Sequence, residues 1–370
     1  MRKLATLLLV ASLALPALAI DFHNWYTLDT SGTGLAIGGR PGSVAFNGST
    51  LYVGTLFTDA RVHRINGPLS APTYGGAFAQ MGPAAGTTNG FVNLDLQGNT
   101  IIAGTNNGGV DPDVAYTFDL NGNLIGSANS AGLNIQGSGG DRFDGAAVDP
   151  GWVGGGGAGA GVSLFAFGNG NRNHYDNNFN LIDNGFNIFH PSLGTGTRDA
   201  RYAADSGDLY IRYVNGIGRG KRVGPHNFTM LDGSTAGMEP IVTLPDGTNS
   251  AINVEYLPAW GGFNLVLGNW RSSVGGINFS TRIKVFDADA TGQGLAQAKA
   301  VNWLNADGSG PFDFLTLAGS IYDFSYDAGS GLLAISDWSN EKIYIFSRNA
   351  IPEPATLGLL ALGLLALRRR

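Results

Sequence analysis

Between residues 20 and 350 the apolar positions fall in short runs rich in Val, Ile, Phe and Tyr, broken about every eight to twelve residues by Gly, Asn, Asp or Ser. No sustained 3.6-residue period appears, so these runs predict strands joined by tight turns and an all-β fold. The most legible stretch runs Ile321 to Asp327, a turn at Ala328-Gly329-Ser330-Gly331, Leu332 to Asp337, a turn at Trp338 to Glu341, then Lys342 to Ser347. Three strands and two tight turns predict an antiparallel meander.

Comparable units lie upstream at Gly42 to Asn66, Phe91 to Ile125, Phe143 to Ile182, Arg201 to Met230 and Ile252 to Asp287. That makes about six units at a spacing near fifty residues, a repeat length typical of propellers and other arrays. A sheet with two apolar faces is not stable alone, and radial stacking covers both faces while leaving short edges. The order "apolar strand, Asp-x-x-x-Gly, Leu-x-x-x-Asp, turn, Ile-x-x-Phe" over 321–347 resembles a blade of the NHL and YVTN repeat families. The resemblance implies a β-propeller of about six blades over 20–350, with Phe22 to Leu28 completing a blade begun by the C-terminal strands. A β-sandwich is the alternative, and it would show similar strands without the fifty-residue spacing. The glycine-rich segment Gly151 to Gly161 reads as a mobile loop.

The two ends differ from this body. Ile351-Pro352-Glu353-Pro354 is followed by the uncharged run Ala355 to Leu367 and then by Arg368, Arg369 and Arg370. Two prolines with fixed φ present Glu353 on an extended segment, and the apolar run beyond is free to become helical. As a helix it would reach roughly 20 Å, short of a ~30 Å hydrocarbon core, so it suits transient insertion with the arginines on the cytoplasmic side. A buried helix of the body would instead show one polar face. The order of parts over 351–370 resembles the PEP-CTERM sorting signal of Gram-negative bacteria, which implies recognition and cleavage by an exosortase at the cell envelope.

At the other end, Arg2 and Lys3 precede the uncharged run Leu4 to Leu15, and Pro16-Ala17-Leu18-Ala19 supplies the small-x-small pattern of a signal peptidase site. Residues 1–19 are therefore expected to be a signal peptide, with Ala17 and Ala19 read by the peptidase and the mature chain starting at Ile20. The expected location is beyond the inner membrane, at the cell surface or outside the cell.

The chain contains no cysteine, so an exported fold must rest on burial and backbone hydrogen bonds without disulfides. Glycine stands at 58 of 370, charged residues at 14% and hydrophobic residues at 43%, which fits many short strands and not a disordered chain. Loss of both end segments removes Arg2, Lys3, three terminal arginines and Glu353, taking the formal charge from −6 to −10. An acidic body without a basic run is unsuited to nucleic acid or to anionic headgroups.

Candidate chemistry is sparse. His23, His63, His174, His190 and His226 show no metal-ligand spacing, although blades can bring separate residues together. Calcium is the one cofactor with candidate loops, at Asp119, Asn121 and Asn123, at Asp176, Asn178 and Asn180, and at Asn305, Asp307 and Ser309. None completes an EF-hand, and the same residues serve turns by bonding their own backbone. Asp205-Ser206-Gly207-Asp208 resembles the nucleophile segment of trypsin-like proteases but stands in a hairpin turn without accompanying motifs. Glu255, Asp313 and Asp323 are the carboxylates that an acid/base pair across blades would draw on. Trp260, Trp270, Trp303 and Trp338 suit either blade packing or a sugar-stacking mouth. These features favour a non-catalytic binding or structural body associated with extracellular polysaccharide, with a propeller hydrolase or lyase acting on such polymers as the alternative.

Overall fold

The computed structural model describes residues 19–350 except 33, 36, 57–59, 81–89, 107–112, 130–142, 144, 166–171, 185–189, 191, 195, 232–236, 244–250, 271–282, 295–296 and 313–321. Ala17, Asp313, the sorting-signal residues Pro352, Glu353, Pro354, Arg368, Arg369 and Arg370, and the apolar run before the arginines lie outside the described residues. Among the described residues no helix is long and apolar enough to cross a membrane.

Each predicted unit becomes an antiparallel meander. The first comprises β2 (Arg40–Phe46), β3 (Thr50–Leu56), β4 (Arg61–Asn66) and β5 (Thr73–Gln80). The second comprises β6 (Gly90–Gln97), β7 (Thr100–Asn106), β8 (Val114–Asp119) and β9 (Leu124–Asn129), and it touches the first sheet at one pair, Leu56 opposite Gly90. The third holds β10 (Gly145–Asp149), β11 (Gly161–Phe165), β12 (Arg172–Tyr175) and β13 (Leu181–Asp183). The fourth holds β14 (Thr197–Tyr202), β15 (Leu209–Tyr213) and β16 (Gly216–Arg222), flanked by β17 (Phe228–Thr229) and β18 (Glu239–Thr243). The fifth is β19 (Ala251–Trp260), β20 (Phe263–Trp270) and β21 (Ile283–Asp287).

The sixth sheet draws on both ends of the body. β23 (Tyr322–Asp327), β24 (Leu332–Asp337) and β25 (Lys342–Ser347) form the expected meander, and β1 (Ile20–Asp29) adds antiparallel to β25 with His23 opposite Ser347. A short strand not expected from the sequence, β22 (Val301–Leu304), lies parallel to β1 on its outer side, with Phe22 opposite Trp303.

The buried apolar residues form layers between successive sheets and leave no common centre. Leu51, Val53 and Ile65 of the first sheet pack on Leu332, Ile343 and Ile345 of the sixth. Tyr52 and Val62 pack on Phe91 and Phe118, Ile102 and Ala115 on Val162 and Leu164, and Phe165 on Leu209 and Ile211. Tyr210 and Ile217 meet Val266 and Phe286, and Leu265 and Leu267 meet Phe324 and Phe346. The first strands follow the same cycle, since β6 packs on β2 and β10, β14 on β10 and β19, and β23 on β19 and β2. A closed cycle of sheet-on-sheet layers is the β-propeller, and it replaces the sandwich alternative, which has two layers and no ring.

The segment Gly151 to Gly161 is the expected loop, and it connects β10 to β11. Gly151 begins a compact excursion in which Trp152 N donates to Ala158 O at 2.8 Å and a single 3-10 turn spans Val153–Gly155. Gly161 opens β11. Glycine is required at 156, 157 and 159, where φ is 68°, 83° and 81°.

Candidate functional site

Around the ring axis the first strands carry polar pairs inside otherwise apolar runs: Asn93 and Asp95 on β6, Asp199 and Arg201 on β14, Asn253 and Glu255 on β19, Asp323 and Ser325 on β23. All are buried. A first strand has only its own second strand as a ladder partner, so its inward amides need acceptors from the neighbouring blade. The carboxylates supply them. Asp323 Oδ2 accepts Val44 N at 2.8 Å, Asp95 Oδ2 accepts Val148 N at 2.8 Å, Asp199 Oδ2 accepts Val254 N at 2.9 Å and Glu255 Oε2 accepts Tyr326 N at 3.2 Å. Each of these bonds joins two adjacent blades.

Arg201 occupies the middle of this arrangement. Its Nη1 donates to Asp199 Oδ1 at 2.7 Å, and its Nη2 to Asp323 Oδ1 at 3.2 Å, Leu94 O at 3.2 Å and Phe324 O at 3.3 Å. Its Nε lies 3.6 Å from Glu255 and 3.8 Å from Asp95. The side chain starts in the fourth blade and so bonds the second and sixth, with the fifth alongside. Asn93 Nδ2 donates to Asp199 Oδ1 at 2.7 Å and Asn253 Nδ2 to Asp323 Oδ1 at 2.6 Å.

Four carboxyl groups around one guanidinium carry excess negative charge in a desolvated place. Burial pushes Glu255 up to about 8 and also raises Asp95, Asp199 and Asp323, while Arg201 opposes the rise in each case. Burial works against the charge of Arg201, but Asp199, Asp95 and Asp323 outweigh it and hold the guanidinium protonated.

One end of this axis opens into a cavity of about 300 Å³ bordered by Asp95, Arg201, Glu255, Ser325, Tyr256 and Tyr326. The cavity combines hydroxyl, carboxyl and guanidinium groups with aromatic edges, a surface suited to a polyhydroxylated ligand.

Of the carboxylates singled out from sequence, Glu255 and Asp323 do come together here, whereas Asp313 lies outside the described residues. Arg201, Asp95 and Asp199 were not singled out. The polar-x-polar pairs in first strands are the signal that would have found them.

The tryptophans mostly pack. Trp260 stacks on Phe22 with ring centroids 4.8 Å apart, Trp303 lies 4.5 Å from the same ring, and Trp338 carries the Arg40 guanidinium at 4.7 Å. The side chain of Trp270 lies outside the described residues.

At the calcium-candidate loops, Asp119 Oδ1 accepts Asn121 N and Asn123 N at 2.9 and 2.8 Å, and Oδ2 accepts Asn123 Nδ2 at 2.8 Å. Asp176 repeats the pattern with Asn178 and Asn180. Asp307 Oδ1 accepts Ser309 N at 2.8 Å, and Asn305 N bonds Gly310 O at 3.0 Å. This is the geometry of Asx turns. The segment Asp205 to Asp208 is likewise a turn, with Gly207 N on Ala203 O and Asp208 held by Arg219 at 2.7 Å.

Three of the histidines stay apart: His23 in β1, His63 on Tyr74 at 3.0 Å and His190 on Ser192 at 2.7 Å. His174 and His226, 52 positions apart in sequence, have ring centroids separated by 4.4 Å.

Comparison with solved structures gives broad, low-identity likeness. An auxiliary nutrient binding protein from Bacteroides thetaiotaomicron is similar over 84% of this chain and 69% of its own, at 12% identity and TM-score 0.49. The WD40 β-propeller domain of Doa1 is similar over 89% and 98%, at 12% identity and TM-score 0.46. These likenesses carry no argument about function. No curated protein matches the chain. Residues 350–370 match the model of the PEP-CTERM protein-sorting motif, and the motif implies a protein that is exported and handed to an exosortase.

Proposed function

We propose that the mature body is a non-catalytic binding propeller associated with extracellular polysaccharide, and that the cavity bordered by Asp95, Glu255 and Tyr326 is where the polymer docks. The observation that carries this reading is the occupation of the central carboxylates. All eight oxygens of Asp95, Asp199, Glu255 and Asp323 accept at least one bond from a backbone amide, an asparagine amide or Arg201. A carboxylate gripped on both oxygens braces the ring and is poorly placed to shuttle a proton to a substrate. The aromatic edges and the polar floor then serve recognition.

A second reading has its own support. Glu255, raised to about 8, and Asp95, also raised, both border the cavity, and a carboxyl kept protonated near neutral pH is what a general acid of a hydrolase or lyase requires.

One experiment separates the two. The protein exported by its native cells is incubated with the polysaccharide those cells secrete, and retention on the polymer and release of new chain ends are both measured. Retention without new ends, weakened about tenfold or more by Tyr326→Ala, is the expected result. New chain ends that disappear with Glu255→Gln would replace binding by catalysis, and no retention would remove the polysaccharide.

A further inference from the structure

The fold assembles a second cluster on the boundary between the third and fourth blades. Asp149 ends β10, His174 lies on β12 and His226 sits in the turn between β16 and β17. One ligand-capable atom from each lies within 4.8 Å of the others. Asp149 and His174 are fully buried and His226 is half-buried.

Each member is held in place by its surroundings. His174 Nδ1 shares a hydrogen bond of 2.8 Å with Ser163 Oγ, which is also 2.8 Å from Tyr202 Oη. This fixes the ring plane and turns Nε2 toward the backbone at Gly161, where an added Cβ would stand 3.2 Å from that nitrogen. A Cβ at Gly159 would stand 3.0 Å from His226 Nε2. Both Nε2 atoms therefore face one glycine-bearing stretch, Gly159 to Gly161, which has no side chain at either contact point.

Asp149 Oδ1 accepts Gly151 N at 2.8 Å and an Arg222 Nη1 bond, so its orientation is set from that side, and Oδ2 faces His174 Nδ1 at 3.6 Å. Arg222 also donates to Gly224 O at 3.2 Å and to Pro225 O, the residue before His226. Arg222 thus positions the turn that carries His226 over Asp149.

We propose that Asp149, His174 and His226 form a site for a divalent transition ion of the zinc class, spanning the third and fourth blades. Two imidazoles and one carboxylate are the donor set that such borderline ions prefer, whereas calcium and magnesium select oxygen-only sites. Metal–donor distances near 2.0–2.2 Å require the three donors to draw together by about 1 Å, which side-chain rotation of the half-buried His226 supplies. Arg222 compensates the carboxylate charge, so the ion is held mainly by neutral imidazole, and binding weakens as the histidines protonate. The Ser163–Tyr202 pair behind His174 is the outer-shell partner that metal-bound imidazoles regularly have. A cavity of about 400 Å³ is bordered by Asp149, Ala160 and Gly161, on the Asp149 side of the cluster. Three protein donors leave the fourth position of a tetrahedral ion open to solvent or a small ligand.

The test uses the protein as exported by its native cells, stripped with a chelator and titrated with Zn²⁺ alone, with bound metal measured by mass spectrometry and binding heat by calorimetry. One equivalent per chain is expected, with a melting temperature that rises with zinc concentration. His226→Ala should abolish the uptake, Ser163→Ala should weaken it about 10- to 100-fold, and His190→Ala should leave it unchanged. Since a variant can lose metal by losing its fold, Co²⁺ is also titrated into the unaltered protein, where the visible absorption of imidazole-bound cobalt is expected. Folded protein that takes up no zinc, uptake undiminished in folded His226→Ala, or bound Co²⁺ without imidazole absorption would each overturn the site.

Discussion

Arg201 shows how much one side chain can decide. It is buried, and its guanidinium bonds groups in the second, fourth and sixth blades. Removing it leaves four buried carboxyl groups without their counter-charge, and breaking a buried ion cluster from one side costs about 3–5 kcal/mol. Arg201→Ala should therefore lower the unfolding free energy by that amount in urea titrations at mildly alkaline pH, with a smaller loss in mild acid, where the carboxyl groups are protonated. The same cluster sets a pH dependence. Glu255 titrates near 8 when folded against an ordinary value of 4.5. The folded state thus keeps a proton that the unfolded chain gives up. Its stabilising contribution is complete below about pH 4.5 and is lost as pH rises through about 8, with Asp95, Asp199 and Asp323 acting in the same direction. The urea midpoint should fall from about pH 5.5 to about pH 8.5, and Glu255→Gln should flatten that fall. A midpoint that rises over the same range would contradict the account.

At the scale of the strand, the closing sheet is the informative element. Phe22 of β1 is fully buried between Trp260 of the fifth blade and Trp303 of β22. Phe22→Ala should cost about 3–5 kcal/mol and show as a lower melting temperature, because it opens a void where two sheets and the added strand meet. The pattern of apolar runs and turn residues was enough to read the hairpins: Asp327 to Gly331 announces its turn, and Phe22 to Leu28 does complete the sheet of β23 to β25. Local signals of this kind depend on residues two to four apart. The axial cluster depends on partners such as Asp323 and Val44, 279 positions apart, and His174 and His226 sit on different blades. No spacing in one chain expresses such pairs. β22 escaped for another reason, since Val301 to Leu304 is only four residues long and too short to stand out until β1 is there to receive it.

Across the whole molecule, stability is divided among interfaces between neighbouring sheets, and the ring is complete only when β1 meets β25. The expected signal-peptidase cut falls between Ala19 and Ile20, next to the first residue of β1, whose amide donates to Ala300 O at 2.9 Å. The sorting motif begins three residues beyond the end of β25. Intact mass of the protein from native cells should show loss of the segment after about residue 351, and a strain without its exosortase should retain it. Full length in both strains would make the tail an ordinary anchor.

The position of β25 also bears on how the body carries load. It lies between β24 and β1, paired at six positions on each side. Tension arriving from the tail at Ser347 runs along the strand axis, while the ladder bonds lie across it. Such a pull strains both ladders in shear, all positions together, where an outermost strand would peel away one bond at a time. A body pulled by its C-terminal end is gripped at one of the places where it resists extraction best.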